Sequence, residues 1–355
     1  MRRRHVFHLA GGAALLTGLT LFPRKNARAC TRVLWNTAGD DVIVGRTMDW
    51  PESTQPILYA LPAGMARDGG KLGGVSVVKD NSLRWVSRYG SLVAGAYDLG
   101  GIDGLNECGL AGHLLYLKSA NYGPRDISKP GLQAGLWLQY VLDNAATVKE
   151  ALSLLAPVQI IMVSAHGHQA SLHLVLEDAS GDSAIIEYVD GQVKVYHDRA
   201  YTVVTNDPPY NEQLALLRKM EAEHQFQPAS RDVPLPGNMN PIDRFQRAAF
   251  FSRFLPQPGT TRQAIAAMFS IMANVSVPFG APYRDFGTYN TEYRSVADLT
   301  KRVYFFQLTT VPSVCWVQLA HLNLRHGAPV LSLNPDALEL AGDVTSHYKE
   351  TAAPF

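Results

Sequence analysis

The distribution of strand-forming and helix-forming segments places the strongest constraint on the fold of this chain. Short β-rich segments recur in blocks, and the pair Asp190-Gly191 between two of them is typical of a two-residue hairpin. The predicted strands are Thr31–Trp35, Asp41–Thr47, Ser171–Glu177, Ser183–Val189, Gln192–Tyr196, Tyr201–Thr205, Val303–Thr309 and Ser313–Ala320. Helical periodicity predicts helices over Leu132–Leu155, Asp243–Phe254 and Thr261–Ala273. Because helices and strands come in separate blocks, the pattern indicates a layered α+β fold and not repeated βαβ units.

The N-terminal segment has the three-part organisation of an export signal. A basic start, Met1 to Arg4, precedes a moderately apolar run, Leu9 to Phe22, and the segment ends in Ala27-Arg28-Ala29. The paired arginines of the start suit the twin-arginine export route. Glycines interrupt the apolar run, so we expect no stable membrane anchor. We therefore predict a signal peptide at residues 1–29, one domain at residues 30–355, and a periplasmic or secreted mature protein.

Removal of the signal peptide would make Cys30 the first residue of the mature chain. One residue would then carry a thiol nucleophile and a free α-amine, and an α-amine with an ordinary pKa of about 8 can accept a proton near neutral pH. Two other interpretations remain open. A lipoprotein signal also ends at a cysteine, although Ala27 and Arg28 stand where such signals usually carry Leu and a small residue. Cys30 can also be an inert buried thiol.

The first predicted hairpin gives a geometric expectation for the surroundings of Cys30. If residues 36–40 form the loop and Trp35 pairs with Asp41, antiparallel pairing places Cys30 opposite Arg46. A guanidinium there can stabilise a thiolate, whereas the alternative interpretation of Arg46 is a solvated cation at the end of a strand. Asp49 follows the strand, where its carboxylate can either orient the Cys30 ammonium or cap the turn.

Composition and residue spacing exclude several classes of partner. The formal net charge is +1, which argues against nucleic acid or an anionic membrane surface as the main partner.

Cys108 and Cys315 can pair or stay free, and in either case at least one of the three cysteines remains unpaired. His166, His168 and His173 lack the carboxylate or cysteine spacing of a metal site, so we expect them on a surface loop. No metal and no cofactor is predicted.

Five sequence features occur together in a fixed order along the chain. They are Cys30, Gly45-Arg46-Thr47-Met48-Asp49, Gly104-Leu105-Asn106-Glu107-Cys108-Gly109-Leu110, Thr205-Asn206-Asp207-Pro208 and Asp243-Arg244-Phe245. In their order and spacing they resemble the choloylglycine hydrolase family of penicillin V acylases and bile salt hydrolases. The resemblance covers essentially the whole mature chain. It implies a four-layer αββα N-terminal-nucleophile hydrolase fold, hydrolysis of a linear amide bond in a small acyl-amide substrate, and a homotetramer.

The resemblance also implies roles for individual residues. Cys30 is expected to be the nucleophile, Arg46 the charge beside its sulfur, and Asp49 the partner of its α-amine. Asn206 is expected to donate a hydrogen bond to the oxyanion, and Arg244 to support the site structurally or electrostatically. The implied reaction is attack by sulfur on an amide carbonyl, release of the amine to leave a thioester, and hydrolysis by water that the α-amine activates.

At the position of Tyr116, bile salt hydrolases carry Asn, whereas some penicillin V acylases resemble this chain. The family uses a backbone N–H at this position for the oxyanion, so Tyr would keep the donor and add an aromatic wall that favours a flat or apolar acyl group. Trp50 and Trp85 can add aromatic surface, although a buried Trp is more often part of the core.

Three functions follow as expectations from these residues. The first is penicillin V acylase-like activity, because signal-bearing members of the family are similar to exported penicillin V acylases that also cleave long-chain acyl homoserine lactones. Hydrolysis of conjugated bile salts is the alternative within the same family. A non-enzymatic exported lipoprotein or binding protein is the alternative from another class.

Overall fold

The computed structural model describes residues 29–224, 234–282 and 289–355. The predicted signal peptide, except for Ala29, lies outside the described residues. Strands of the first part of the chain are β1 (Ala29–Ala38), β2 (Asp41–Trp50), β3 (Ile57–Leu61), β4 (Ala66–Asp68), β5 (Lys71–Leu72), β6 (Val75–Ser76), β7 (Arg84–Val86), β8 (Ser91–Ala96), β9 (Gly100–Asn106), β10 (Ala111–Tyr116), β11 (Gly131–Gln133) and β12 (Gln159–Ile161).

The remaining strands and the helices complete the described elements. The strands are β13 (Ser164–Ala165), β14 (His168–Gln169), β15 (Leu172–Glu177), β16 (Ser183–Val189), β17 (Gln192–His197), β18 (Val203–Val204), β19 (Asn290–Asp298), β20 (Val303–Leu308), β21 (Cys315–Gln318), β22 (Leu331–Leu333), β23 (Gly342–Asp343) and β24 (Lys349–Glu350). The helices are α1 (Trp137–Asn144), α2 (Val148–Leu155), α3 (Tyr210–His224), α4 (Pro241–Arg253) and α5 (Thr261–Val275). Within the described residues, no helix combines the length and the apolar character needed to cross a membrane.

Two large sheets lie face to face at the centre of the molecule. The seven-stranded sheet has the order β18-β1-β2-β19-β20-β21-β23, and the nine-stranded sheet has the order β17-β16-β15-β10-β9-β8-β3-β22-β24. Strands β1 and β10 contact each other across the interface between the sheets. Helices α4 and α5 pack on β1 and β2, while α1 packs on β9 and β10 on the far side. The predicted α+β fold with four αββα layers is confirmed.

Apolar side chains fill the space between the sheets and the spaces under both helix layers. Gly45 shows how closely α5 packs on β2, since a Cβ atom at this position would lie 2.7 Å from Cγ of Met268. A larger residue at this position would push the helix away from the strand. The glycine in the segment 45–49 is therefore required for packing, and the residues that follow it reach the site.

Several predicted elements agree with the structure. The strand Ser183–Val189 is observed with the same bounds, and the hairpin turn after it has positive φ angles at Asp190 and Gly191, as a type I′ turn requires. Leu136, Tyr140 and Ala151, which lie in the region of predicted helical periodicity, have buried side chains.

The single predicted helix Leu132–Leu155 is wrong. Its first residues belong to strand β11, and two helices follow, with the backbone extended at Ala145. Thr147 begins the second helix, because its side chain accepts a hydrogen bond from the backbone N–H of Glu150. A threonine cap of this kind favours a new helix start over continuation of the first helix.

The predicted register of the first hairpin is wrong by two residues. β1 extends to Ala38, which pairs with Asp41, and the pairing is irregular between Trp35 and Ala38. Cys30 therefore lies opposite Met48, and Arg46 lies opposite Arg32. Because side chains alternate between faces with a period of two, this shift keeps Arg46 on the same face of the sheet as Cys30.

Two further predictions concern histidines and cysteines. His173 does not lie on a surface loop: it lies in β15, is 1% exposed, and has its Nδ1 atom 2.9 Å from Glu187 Oε1. A histidine with a carboxylate partner can be buried in a strand, and no local pattern in the sequence identifies Glu187 as that partner. Cys108 and Cys315, whose pairing the sequence left open, both carry free thiols.

Candidate active site

Cys30 lies near the start of β1 and is 2% exposed. Its backbone nitrogen donates a hydrogen bond of 2.6 Å to Oδ1 of Asn206, which follows β18 at the edge of the same sheet. The amide nitrogen of Asn206 in turn donates to the backbone carbonyl of Tyr116 at 2.6 Å. Asn206 therefore links the nitrogen of Cys30 to the end of β10 in the opposite sheet.

Arg244 reaches the same group from α4 and is fully buried. Its guanidinium donates to Oδ1 of Asn206 at 3.0 Å and to the carbonyl oxygen of Cys30 at 2.9 Å, and it also bonds the hydroxyl of Thr31. The same guanidinium lies 3.4 Å from Oδ2 of Asp49. Arg244 therefore holds the backbone and the partner of Cys30 from one side.

Asp49 is buried and its carboxylate is held by two hydroxyls besides Arg244. Thr291 donates to Oδ1 at 2.5 Å and Thr47 donates to Oδ2 at 3.2 Å. Burial raises the pKa of Asp49 above its ordinary value, and the charge of Arg244 and the two hydroxyls lower it by less. Asp49 is thus a carboxylate whose ionised form depends on its partners.

Arg46 lies on the other side of the Cys30 sulfur and is fully buried. Its Nη2 atom is 3.9 Å from the sulfur and 3.2 Å from Sδ of Met48, and it donates to the carbonyl of Leu114 at 3.0 Å. Burial would lower the pKa of Arg46, but nearby Tyr293 and buried carboxylate charge raise it above its ordinary value. A permanent cation therefore lies beside the thiol.

The thiol opens into a cavity of about 110 Å³. Trp50 and Tyr116 form adjacent aromatic walls, with ring centroids 6.1 Å apart at an interplanar angle of 73°. The rest of the lining is mainly aliphatic, including Leu72, Leu99, Ile102, Leu114, Val163 and Leu172. A larger cleft of about 640 Å³ also has Trp50 in its lining, and Cys30 does not line it. The smaller, apolar cavity is therefore assigned to the site, because the Cys30 thiol lines it.

Polar groups surround the rim of this cavity. The indole N–H of Trp50 donates to the hydroxyl of Tyr97 at 3.0 Å, and that hydroxyl donates to Glu52 at 2.7 Å. His168 on the β13–β14 hairpin lies 3.1 Å from the same carboxylate. The indole of Trp50 is therefore held by the hydrogen bond of its N–H to Tyr97 and by edge contacts with the rings of Tyr116 and His168.

The structure brings together every residue that the sequence predicted for the site: Cys30, Arg46, Asp49, Trp50, Tyr116, Asn206 and Arg244. One expected contact differs. The nitrogen of Cys30 bonds Asn206, while the hydrogen bonds and ion pair of Asp49 join it to Thr47, Thr291 and Arg244. Trp85 packs at 5.0 Å from the ring of Tyr140 and donates to Asp143, so it belongs to the core under α1.

The residues that hold the predicted site residues in place were not predicted from the sequence. Thr47 lies within the motif that contains Arg46 and could have been noticed as a hydroxyl two residues before Asp49. Thr291 and Tyr293 lie on β19, which was not predicted as a strand, and no local signal connects them to β2. The cavity walls from the β13–β14 hairpin were likewise missed, because they depend on tertiary packing.

Known proteins of one family are similar to this chain over most of its length. A model of the "Linear amide C-N hydrolases, choloylglycine hydrolase family" matches residues 30–341. A penicillin V acylase from Pectobacterium atrosepticum is 36% identical over 92% of this chain and 91% of its own length. The solved structure of a penicillin V acylase from Agrobacterium tumefaciens is 37% identical, covers 92% of this chain and 98% of its own, and has a TM-score of 0.81. A mutant conjugated bile acid hydrolase from Clostridium perfringens shares the fold, with a TM-score of 0.75 at 21% identity over 88% and 98% of the two chains.

Proposed function

We propose that this chain, which belongs to the choloylglycine hydrolase family of linear amide C–N hydrolases, is a penicillin V acylase-like enzyme that uses Cys30 as an N-terminal nucleophile. The observation that carries the proposal is the joint position of the Cys30 nitrogen on Asn206 and the Cys30 sulfur beside Arg46, at the wall of an apolar cavity. In the full-length chain this nitrogen is a peptide N–H. After removal of residues 1–29 it is the α-amine.

The mechanism uses the nitrogen and sulfur of this one residue in turn. The α-amine takes the proton of the thiol, and the sulfur attacks the carbonyl carbon of the amide. The tetrahedral intermediate collapses when the C–N bond breaks and the leaving amine takes the proton from the α-ammonium. Water then gives a proton to the α-amine and attacks the thioester, which releases the carboxylic acid and regenerates the thiol.

The surrounding residues stabilise charge during these steps. Arg46 favours the anionic sulfur, and Asn206 and Arg244 hold the nitrogen and the carbonyl of Cys30 in fixed positions. Asn206 and the backbone N–H of Tyr116 are proposed as donors to the oxyanion. Asp49 is proposed to act on the amine indirectly, because it pairs with Arg244, which donates to the same Asn206 oxygen that accepts a hydrogen bond from the Cys30 nitrogen. A preorganised donor at an oxyanion is typically worth about 2.7–4 kcal/mol in the transition state.

The size and lining of the cavity favour a small apolar acyl group. At about 110 Å³ it is smaller than a typical drug-sized ligand site of roughly 300–1,000 Å³. Its aromatic walls, Trp50 and Tyr116, suit a phenoxyacetyl group, and its aliphatic lining suits the start of an alkyl chain. These features support penicillin V as the better substrate class, acyl homoserine lactones as a second, and conjugated bile salts as the weaker alternative. Family membership is against the non-enzymatic binding protein.

The proposal is tested by a hydrolysis panel with penicillin V, penicillin G, glycocholate and acyl homoserine lactones of increasing chain length. We expect the highest kcat/KM for penicillin V or a lactone. A clear preference for glycocholate would overturn the substrate assignment, and no hydrolysis of any member by protein with a verified Cys30 N-terminus would overturn the enzyme assignment.

We also propose that residues 1–29 are an export signal and that residues 30–355 form one catalytic domain in the periplasm or outside the cell. The family match that begins at residue 30 supports this boundary. The intact mass of the exported protein tests this boundary, because a bare Cys30 N-terminus supports the proposal and a diacylglyceryl addition supports the lipoprotein alternative.

The homotetramer stays a proposal by family resemblance, to be tested by light scattering in solution.

A further inference from the structure

Two buried arginines lie side by side on the inner face of the seven-stranded sheet. Arg32 on β1 and Arg46 on β2 are directly opposite in the antiparallel register, and both are fully buried. Like charges at opposite positions destabilise a strand pair. A compensating set of charges must therefore face them.

The nine-stranded sheet supplies that set from three adjacent strands. Glu177 on β15 pairs with Arg32, with Oε2 2.6 Å from Nη2. His113 on β10 lies between two carboxylates, with Nε2 2.5 Å from Glu177 and Nδ1 2.6 Å from Asp103 on β9. Ser295 and Tyr304 from the seven-stranded sheet donate to the second oxygen of Asp103 at 2.5 and 2.7 Å.

Both ring nitrogens of His113 face carboxylates, which only accept hydrogen bonds when ionised. Burial would lower the pKa of His113, but Glu177 and Asp103 raise it above its ordinary value. In return, the pKa of Asp103 falls to about 2 although its burial opposes that change. The buried set thus holds three cations, Arg32, Arg46 and His113, and two carboxylates, which leaves one surplus positive charge.

The position of His113 on its strand connects this set to the thiol. His113 and Asp103 are directly opposite in the pairing of β10 with β9. Arg46 is held by the carbonyl of Ile102 at 2.6 Å and by the carbonyl of Leu114 at 3.0 Å. Ile102 is the chain neighbour of Asp103, and Leu114 is the chain neighbour of His113. The side-chain pair therefore joins the two strands at the place where their backbone holds Arg46.

We propose that His113 is a positioning residue for the reaction, acting through Arg46 on the sulfur of Cys30. This inference rests on the proposed function of Cys30 as the nucleophile. The imidazolium holds together the two strands whose carbonyls orient Arg46. It also pairs with Asp103, so that the charge of this carboxylate is not left to neutralise Arg46. Arg46 therefore remains a cation that a thiolate at Cys30 can neutralise. Among the described residues, the other charged groups around Cys30 and Arg46 are Asp49 on β2 and Arg244 on α4, which pair with each other, and Glu292 on β19. The carboxylate of Glu292 accepts hydrogen bonds from the hydroxyls of Ser53 and Thr54.

The test is the replacement of His113 by Asn, which removes the charge and at least one of the two carboxylate contacts. The readout is the rate of alkylation of Cys30 by iodoacetamide across pH, measured by peptide mass spectrometry, with the half-buried thiol of Cys108 as internal reference. We expect the Cys30 rate near neutral pH to fall about tenfold and its pH profile to move to more alkaline pH, because the surplus charge is lost. We also expect kcat to fall at least about tenfold, with KM changed less than about twofold.

The matched control is His173→Asn. His173 is also buried on the nine-stranded sheet and is paired with a carboxylate, Glu187, but no hydrogen bond in the described residues joins this pair to Arg46. Loss of stability should occur in both variants, whereas only His113→Asn should move the alkylation profile. His113→Gln is the second variant, to be used if His113→Asn does not fold.

An alkylation profile that is unchanged in a folded His113 variant, or that moves equally in the His173 control, would overturn the inference. Alkylation needs no amide substrate, so the result is informative even if the hydrolysis panel fails. Failure of the panel with a displaced alkylation profile overturns the proposed function only.

Discussion

The backbone nitrogen of Cys30 lies 2.6 Å from Oδ1 of Asn206, although the two residues are 176 positions apart in the chain. The bond joins the first strand of the seven-stranded sheet to the segment after its edge strand. Because Asn206 also bonds the carbonyl of Tyr116 in the other sheet, one amide fixes Cys30 relative to both sheets.

Asn206→Ala should lower kcat by about a hundredfold with a small change in KM, because a preorganised amide acts mainly on the transition state. Steady-state kinetics with penicillin V measures the effect. The control is Asn106→Ala, which removes another fully buried amide that bonds only backbone groups away from the cavity and should affect stability rather than kcat. A change confined to KM in Asn206→Ala would assign Asn206 to substrate binding.

The raised pKa of Asp49 predicts an acid limit of activity. Because its pKa lies above the ordinary value, this carboxylate loses its charge, and with it the pairing to Arg244, at a higher pH than an ordinary Asp of about 3.9. As the solution is acidified, wild-type kcat/KM should therefore begin to fall at a pH above the ordinary pKa of Asp. Asp49→Asn should lower kcat/KM at least about tenfold and should remove this acid limit.

Asp143→Asn is the control for that experiment. Asp143 is also a buried carboxylate whose pKa burial raises, and its partner is Arg67 in the core under α1. Its replacement should lower stability and leave the acid limit where it is. An acid limit that is the same in wild type and Asp49→Asn would leave Asp49 as a structural residue of β2.

The sequence predicted the parts of this site that lie in compact motifs. Gly45 to Asp49 contains the cation, the carboxylate and the close-packed glycine within five positions, so a short pattern identifies them. Because side chains alternate between the two faces of a strand, the sequence also placed Arg46 on the same face as Cys30, even though the predicted register was wrong by two residues. Local periodicity similarly located α4 and α5.

The parts that depend on tertiary contacts could not be predicted. Thr291 reaches Asp49 only because β19 pairs with β2 across 242 positions of chain. The bond between Cys30 and Asn206 in place of Asp49 depends on the exact approach of β18 to β1, which no spacing encodes. Strands β3, β8, β9 and β10 were missed because they are buried on both faces and lack the alternation of half-exposed strands.

A form of the protein that retains Ala29 should be inactive, since its Cys30 nitrogen is a peptide N–H that cannot accept the thiol proton. Hydrolysis of penicillin V by the retained and the removed forms, each verified by N-terminal sequencing, measures this. Removal of the extra residue by an aminopeptidase should restore activity to the same sample. Full activity before removal would contradict the role of the α-amine.

Tyr116→Asn should narrow the preference for penicillin V over glycocholate, because it replaces an aromatic wall of the cavity with a polar side chain. Burial of apolar surface contributes roughly 25 cal/mol per Å², so loss of part of the ring contact should lower kcat/KM for penicillin V by about tenfold. Chemistry should persist, since the backbone N–H at this position remains. Tyr116→Phe is the control and should keep the wild-type preference; an equal loss in both variants would assign the effect to the hydroxyl.

Mass spectrometry of the intact enzyme and of its peptides, after an acid quench during turnover of penicillin V, measures whether the sulfur of a mature N-terminal Cys30 carries the acyl group. We expect a mature chain that begins at Cys30 and a phenoxyacetyl addition on that residue alone. In Cys30→Ser we expect no addition and at least about a hundredfold loss of kcat. An acyl group on another residue, or turnover at the wild-type rate by Cys30→Ser of verified N-terminus, would contradict the role of the Cys30 sulfur.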